Sequence, residues 1–182
     1  MSKIVDVNGL FSKYYKNDRE LLATVLKHSE LVAGKALACA EIKGLDIDRE
    51  FVYTASLLHD IGVVKCHAPK ILCFGSKPYI CHGVEGARIL RDAGLPRHAL
   101  VCERHTGSGL PAEYIKKEKM PLPIKDMLPL SVEEKLICYA DKFYSKSGDV
   151  SKEKSVEEIA AQMEKFGKDS LNRFLDLQAA FG

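Results

Sequence analysis

The sequence predicts an all-α bundle of roughly six to eight helices, and three observations carry that prediction. Apolar residues recur at three-to-four spacing through most of the 182-residue chain. The runs begin at capping residues, including two Ser-x-x-Glu boxes at Ser131–Glu134 and Ser155–Glu158. They stop at glycines such as Gly44, Gly62, Gly94 and Gly167, or restart at Pro96. The length suits one domain with a short helical appendage, with residues 1–146 as the main unit, its core about 20–146, and 147–182 packed on it as an extension of two helices.

Taken in order, Leu21, Leu22, Val25, Leu26, Leu31, Val32, Ala36, Leu37 and Ala40 predict a long amphipathic helix from Asp18 to Lys43, ending at Gly44, with His28 near the edge of its apolar stripe. A second helix, capped by Asp46 or Asp48, runs through Phe51, Val52, Ala55, Leu57 and Leu58 to Ile61, and Gly62 stands where a left-handed terminal residue is wanted. His59 and Asp60 fall in its last turn. Residues 63–80, with Pro69, Gly75 and Pro78, read as an irregular connection. His82 opens a third helix closed by Gly94, and Pro96 to Arg104 forms a fourth, with His105 directly after it and His98 on its surface. Residues 106–130 lack periodicity and read as a lid. Ser131 caps the helix that delivers Asp141, Ser155 caps another that ends near Gly167, and Asp169 to Phe181 forms the last. No chemistry is visible in the final pair; packing on the core or a homodimer contact are the roles open to it.

Composition excludes several classes. Lys and Arg number 27 against 25 Asp and Glu, a formal charge of +2, so the global balance gives no nucleic-acid signal. No 18-residue apolar run spans a bilayer, and Met1 to Gly9 lacks the basic and apolar segments of a secretion signal, so a cytoplasmic location is expected. The six cysteines are scattered, and reduced thiols acting as small hydrophobes are expected. A separate zinc site from Cys66, Cys73, Cys81 and His67 lacks the usual short ligand spacing.

The chemistry gathers on imidazoles and carboxylates. Ala55-Ser56-Leu57-Leu58-His59-Asp60-Ile61-Gly62 ends an apolar run with an adjacent His and Asp, and Leu136 to Asp141 ends another with a carboxylate. Consecutive helical residues point about 100° apart, so His59 and Asp60 share a cation only where the helix is ending. His28 lies upstream, and His82 and His105 lie between the two. Imidazole with carboxylate suits Fe, Mn, Co, Ni or Zn, and the lack of thiolates argues against a closed structural zinc.

This order resembles the HD superfamily of metal-dependent phosphohydrolases, whose central motif LLHDIG matches in form. The resemblance covers roughly residues 20–146 and places His28, His59, Asp60 and Asp141 on its four metal positions. His82, in His82-Gly83-Val84-Glu85-Gly86-Ala87, and His105, in His105-Thr106-Gly107, are similar to the additional ligands of the two-metal branch, and most of all to bacterial HD-type diadenosine tetraphosphate hydrolases. The resemblance implies two divalent transition metals per chain, bridged by Asp60, and a metal-activated hydroxide that attacks phosphorus. Gly107-Ser108-Gly109-Leu110-Pro111 also resembles the Gly-x-Gly-Tyr-Pro signature of cyclic-dinucleotide phosphodiesterases, but Leu110 replaces the tyrosine, and Val101 and Cys102 stand where that family has paired histidines.

The function expected is therefore hydrolysis of a phosphoester or phosphoanhydride in a small-molecule phosphorylated substrate such as a nucleotide. Asp60, Lys65 and Arg104 are the catalytic candidates, and Lys65, Arg104 and Lys142 the basic groups beside the ligands for binding phosphate, with Lys70 a further phosphate contact. A di-iron oxygenase with the same ligands, or a nucleotide-sensing module without turnover, are the alternatives.

Overall fold

The computed structural model describes residues 5–182; the first four residues of the segment read above for a secretion signal lie outside them. Nine α-helices are present among the described residues. The first, α1 (Val7–Tyr14), had no counterpart in the periodicity, being only eight residues long; Asp6 caps it by accepting from the Gly9 amide at 2.8 Å. Its C-terminal neighbour Tyr15 is fully buried and donates its hydroxyl to the Ile61 carbonyl at 3.2 Å.

The axis of the fold is α2 (Arg19–Ile42), 24 residues and so about 36 Å long. Leu21, Val25, His28, Val32, Ala36 and Ala40 form its buried row. His28 thus sits within the row rather than at its edge. Past Lys43 the chain turns on Gly44 at φ +62°, with the Leu45 amide reaching Ala40 O at 2.9 Å and the Gly44 amide reaching Glu41 O at 3.1 Å.

Helix α3 (Arg49–Leu58) starts where Asp48 accepts from the Phe51 amide at 2.9 Å. It stops three residues earlier than expected, and Ile61–Lys65 follow as a 3-10 turn. Gly62 is not left-handed there. Its hydrogen faces α4 (His82–Asp92), where a Cβ would fall on the His82 carbonyl oxygen and the Gly86 nitrogen, so close approach rather than backbone angle requires glycine.

The connection 63–80 is more regular than predicted. Short strands β1 (Cys66–Ala68), β2 (Cys73–Phe74) and β3 (Lys77–Pro78) form a sheet in the order β2-β1-β3, with β1 antiparallel to β2 and parallel to β3. Strands of two or three residues are too short to display an alternation. The lid is also partly structured, by α6 (Ala112–Lys117) and a Leu110–Met127 bridge with N–H···O distances of 2.9 and 2.8 Å. Leu110, Ile115, Leu122 and Met127 form a small apolar cluster with Cys81 beneath it.

Two larger cores lie on either side of the middle of α2. One joins α1, the first half of α2, the 3-10 turn, α4 and α5 (Pro96–Arg104) through Val25, Leu58, Ile61, Leu90 and Cys102. The other joins the second half of α2 and α3 to α7 (Val132–Asp141), α8 (Val156–Glu164) and α9 (Lys168–Phe181) through Val32, Val52, Ile137, Ile159 and Phe174. The C-terminal pair is therefore built into the main core. All six cysteines are free and buried, in keeping with their reading as small apolar residues. No described helix is long and apolar enough to cross a membrane.

Candidate metal centre and the cavity beside it

The seam between the two cores is where the polar residues converge. Val25 belongs to one core and Val32 to the other, and His28 lies between them on α2, fully buried. The end of α3 brings His59 and Asp60, the start of α4 brings His82, the end of α5 brings His105 and the end of α7 brings Asp141. Helix ends suit this task, because their backbone turns away and leaves neighbouring side chains free to aim at one point.

The six residues form two groups that share Asp60: His28, His59, Asp60 and Asp141 in one, and Asp60, His82 and His105 in the other, with the ligand atoms of each group within 4.8 Å of one another. Asp60 divides its oxygens between them. Oδ2 lies 3.4 Å from His28 Nε2 and 3.1 Å from His59 Nε2, while Oδ1 lies 3.5 Å from both His82 Nε2 and His105 Nε2. Asp141 Oδ1 completes the first group at 3.0 Å from His28 Nε2 and 3.3 Å from His59 Nε2. Among the described residues no metal-ligating group contains a cysteine, so the Cys66, Cys73, Cys81 and His67 alternative gathers no site.

Hydrogen bonds settle the direction of three rings. His59 Nδ1 is 2.6 Å from Ser56 O, His82 Nδ1 is 2.7 Å from Tyr79 O, and His105 Nδ1 is 2.8 Å from Cys102 O. Carbonyl oxygens only accept, so each Nδ1 carries the proton and each Nε2 points inward, bearing a lone pair wherever the ring is neutral. His82 Nε2 and His105 Nε2 then face each other at 3.0 Å as two acceptors, Asp60 Oδ1 accepts no well-formed hydrogen bond, and Oδ2 meets the Lys146 ammonium. Such a convergence of buried lone pairs and carboxylate charge is repulsive unless cations lie among them, so the residues present fit divalent metal ions.

The electrostatics agree. Burial lowers the pKa of His28 to about 4 and of His82 to about 3, and also lowers that of His105, so all three are neutral at pH 7. For His59, burial opposes the charge but the Asp60 and Asp141 carboxylates outweigh it, to about 9. Burial likewise works against the Asp60 and Asp141 charges, yet both carboxyls stay well below the ordinary range, Asp60 through His59 and Lys146, and Asp141 chiefly through Lys142.

Lys146 is the site residue that sequence reasoning missed. It lies in the short polar stretch between the helix of Asp141 and the Ser155 cap, and its ammonium reaches Asp60 Oδ2 at 2.5 Å and His28 Nε2 at 3.3 Å. A lysine five positions after a candidate ligand carboxylate was the available signal. Of the expected basic groups, Lys142 lies at the site, 2.7 Å from Asp141 Oδ2 and 3.0 Å from His105 O. Arg104 instead holds both oxygens of Glu134, at 3.1 and 2.8 Å, and Lys65 points away over the Tyr14 ring at 5.6 Å. His98, read as surface, is buried against Phe51 and Thr54.

Beside Asp141 opens a cavity of about 430 Å³. Lys70, Lys142, Lys146 and Lys154 give it positive charge, Tyr79, Tyr114, Tyr144 and Phe166 give it aromatic surface, and the 106–110 segment after His105 forms part of its wall. Neither Lys65 nor Arg104 lines it.

The HD domain family matches residues 25–145. The chain is 41% identical over 100 residues to the uncharacterized protein MJ0778 of Methanocaldococcus jannaschii, covering 54% of this chain and 52% of that one. It is 34% identical over 122 residues to a tRNA (cytidine(56)-2'-O)-methyltransferase of Picrophilus torridus, 66% of this chain and 31% of the relative. The chain thus spans about half or less of the curated relatives it matches. Among solved structures it is similar to the HD domain of the Listeria monocytogenes phosphodiesterase PgpH in complex with cyclic-di-AMP, with a TM-score of 0.54, 19% identity and 94% of each chain covered. The same PgpH domain in a second structure gives 0.53, 18% and 97% of each chain. At this identity the likeness is one of fold, and it agrees with the helical order that positions the six residues. On the match of residues 25–145, the chain belongs to the HD domain family.

Proposed function

We propose that the chain is a metal-dependent phosphohydrolase acting on a nucleotide or another small phosphorylated substrate. The observation that carries this reading is the division of Asp60, one oxygen toward each of two groups of buried imidazoles, at the edge of a basic cavity. His28, His59, Asp60 and Asp141 would hold one cation and Asp60, His82 and His105 a second, the arrangement of the two-metal HD-type diadenosine tetraphosphate hydrolases that the sequence resembles. Cations bound there would supply the positive charge that activates water and neutralises phosphoryl oxygens.

The chain's own groups do the rest. Asp60 fixes the spacing of the two sides, and the carbonyl bonds at Ser56, Tyr79 and Cys102 keep the rings from turning. Lys142 and Lys146 present ammonium groups where a phosphate entering from the cavity meets Asp141, and they replace Lys65 and Arg104 in the role of phosphate contacts. The Tyr79 phenol, which burial keeps protonated, lines the same wall and offers an O–H donor. Nucleotide chemistry is supported by PgpH, whose ligand is a cyclic dinucleotide, and by relatives named for tRNA methylation.

Metal content by elemental analysis, with phosphate release from a panel of nucleotides and phosphate esters, tests the reading. Asp60→Ala is expected to lose bound metal and at least a hundredfold in turnover, on the order seen when a ligand network is broken. Unchanged metal content and turnover in Asp60→Ala would overturn it. Turnover that consumes dioxygen and releases no phosphate would move the assignment to an oxygenase.

A further inference from the structure

The substrate cavity is walled in part by residues outside the family match. Lys146, Lys154, Gln162, Met163, Phe166 and Arg173 line it, and all lie beyond residue 145. The C-terminal pair, in which the sequence showed no chemistry, is tied to the segment after His105 by polar bonds. Arg173 donates from Nε to Ser108 O and from an Nη to Gly109 O, each at 3.2 Å, and Ser108 donates its hydroxyl to Ser170 O at 2.8 Å. These bonds seat α9 against the segment that follows His105.

Two side chains on this wall are placed for recognition rather than packing. Phe166 follows α8, is 51% exposed, and belongs to no core cluster although it lines the cavity. Lys154 is held by the Lys142 carbonyl at 3.0 Å, so its ammonium stands next along the chain of lysines that starts at Asp60. The cavity has ample volume for a nucleoside, and a phosphate ester with a small aliphatic group would leave most of it unfilled. Its aromatic rings and the thioethers of Met120 and Met163 offer flat, polarisable surface suited to a nucleobase.

We infer that residues 154–173 are the specificity element of the proposed phosphohydrolase: Phe166 stacks on the base of a nucleotide, and Lys154 takes a phosphate other than the one beside Asp60. The inference rests on the proposed function and deepens it. Arg173 acts as a positioning residue that keeps this wall against the 106–109 segment.

Binding to the full-length, metal-loaded protein, measured calorimetrically with ADP and with pyrophosphate as probes, tests the assignment. Phe166→Ala is expected to weaken ADP about tenfold and to leave pyrophosphate within twofold, because one base loses its stacking surface. Phe166→Tyr restores ADP binding, and Lys154→Met weakens both probes. Phe166 is half exposed, so its replacements are expected to keep the wild-type melting temperature, which the same samples report. If both Phe166→Ala and Lys154→Met leave ADP affinity within twofold while wild-type protein releases phosphate from nucleotides, the specificity element is refuted and the phosphohydrolase stands. If wild-type protein binds neither probe and releases no phosphate, both fall.

Discussion

Asp60 is fully buried, touches both halves of the centre and has no substitute in either. His82 and His105 serve only the second half, so replacing both with Ala is expected to lower bound metal from about two per chain to about one and leave the helical content unchanged. Elemental analysis with circular dichroism checks this, and a wild-type content of one under saturating metal would reduce the centre to a single cation. His98 gives a different kind of test, because it lies outside the centre. Burial, aided by the Arg97 guanidinium, lowers its pKa to about 4. The unfolded ring titrates near its ordinary value of about 6.5. Between those values the unfolded chain binds a proton that the folded chain does not, so stability falls as pH drops through the window. A loss on the order of 3 kcal/mol is expected across it, and His98→Gln should remove that part of the acid slope in urea titrations at pH 7 and 4.5. The six candidate ligands were readable from the sequence because their order and flanking residues follow the resemblance to the HD superfamily, and four of them stand at the ends of helices. The partners of His98 and Lys146 were not, since both are made by contacts between elements distant in sequence.

At the scale of elements, the contact of α4 with the 3-10 turn decides whether the second half of the centre exists. Gly62 and Gly86 lie back to back in it, and on α4 Gly83 stands against the Cys102 carbonyl. Gly62→Ala is expected to cost about 1–3 kcal/mol, as an added methyl must push α4 away. It should also weaken metal retention at the His82 and His105 side more than at the His28 side. Gly34→Ala is the control: a Cβ there meets nothing within 4 Å in the interior of α2, so a gain of about 0.5–1 kcal/mol is expected. Urea midpoints of the two variants should therefore move in opposite directions. The long helices were legible because periodicity needs several turns to show. By the same logic α1, α6 and the three short strands were not.

At the scale of the whole molecule, the C-terminal helices share the core of α2 and α7, and Phe174 is fully buried beside Tyr139. Phe174→Ala is expected to cost about 3–5 kcal/mol and to lower one cooperative transition. Two separate transitions, with only the first affected, would show that the extension unfolds on its own. Sequence located this extension but not its part in the cavity, because Phe166 and Arg173 acquire meaning only from what α9 is placed against. The centre also has a consequence for how the chain opens. His28 and Asp141 are 113 positions apart, yet their side chains meet at 3.0 Å. A cation held between them closes nearly the entire domain into one loop, and only a completed fold can bind it. At free metal a thousandfold above Kd this linkage amounts to about 4 kcal/mol. It belongs to no single helix, so a chelator should quicken hydrogen exchange in α2, α7 and the C-terminal pair together, rather than loosen the chain from one end.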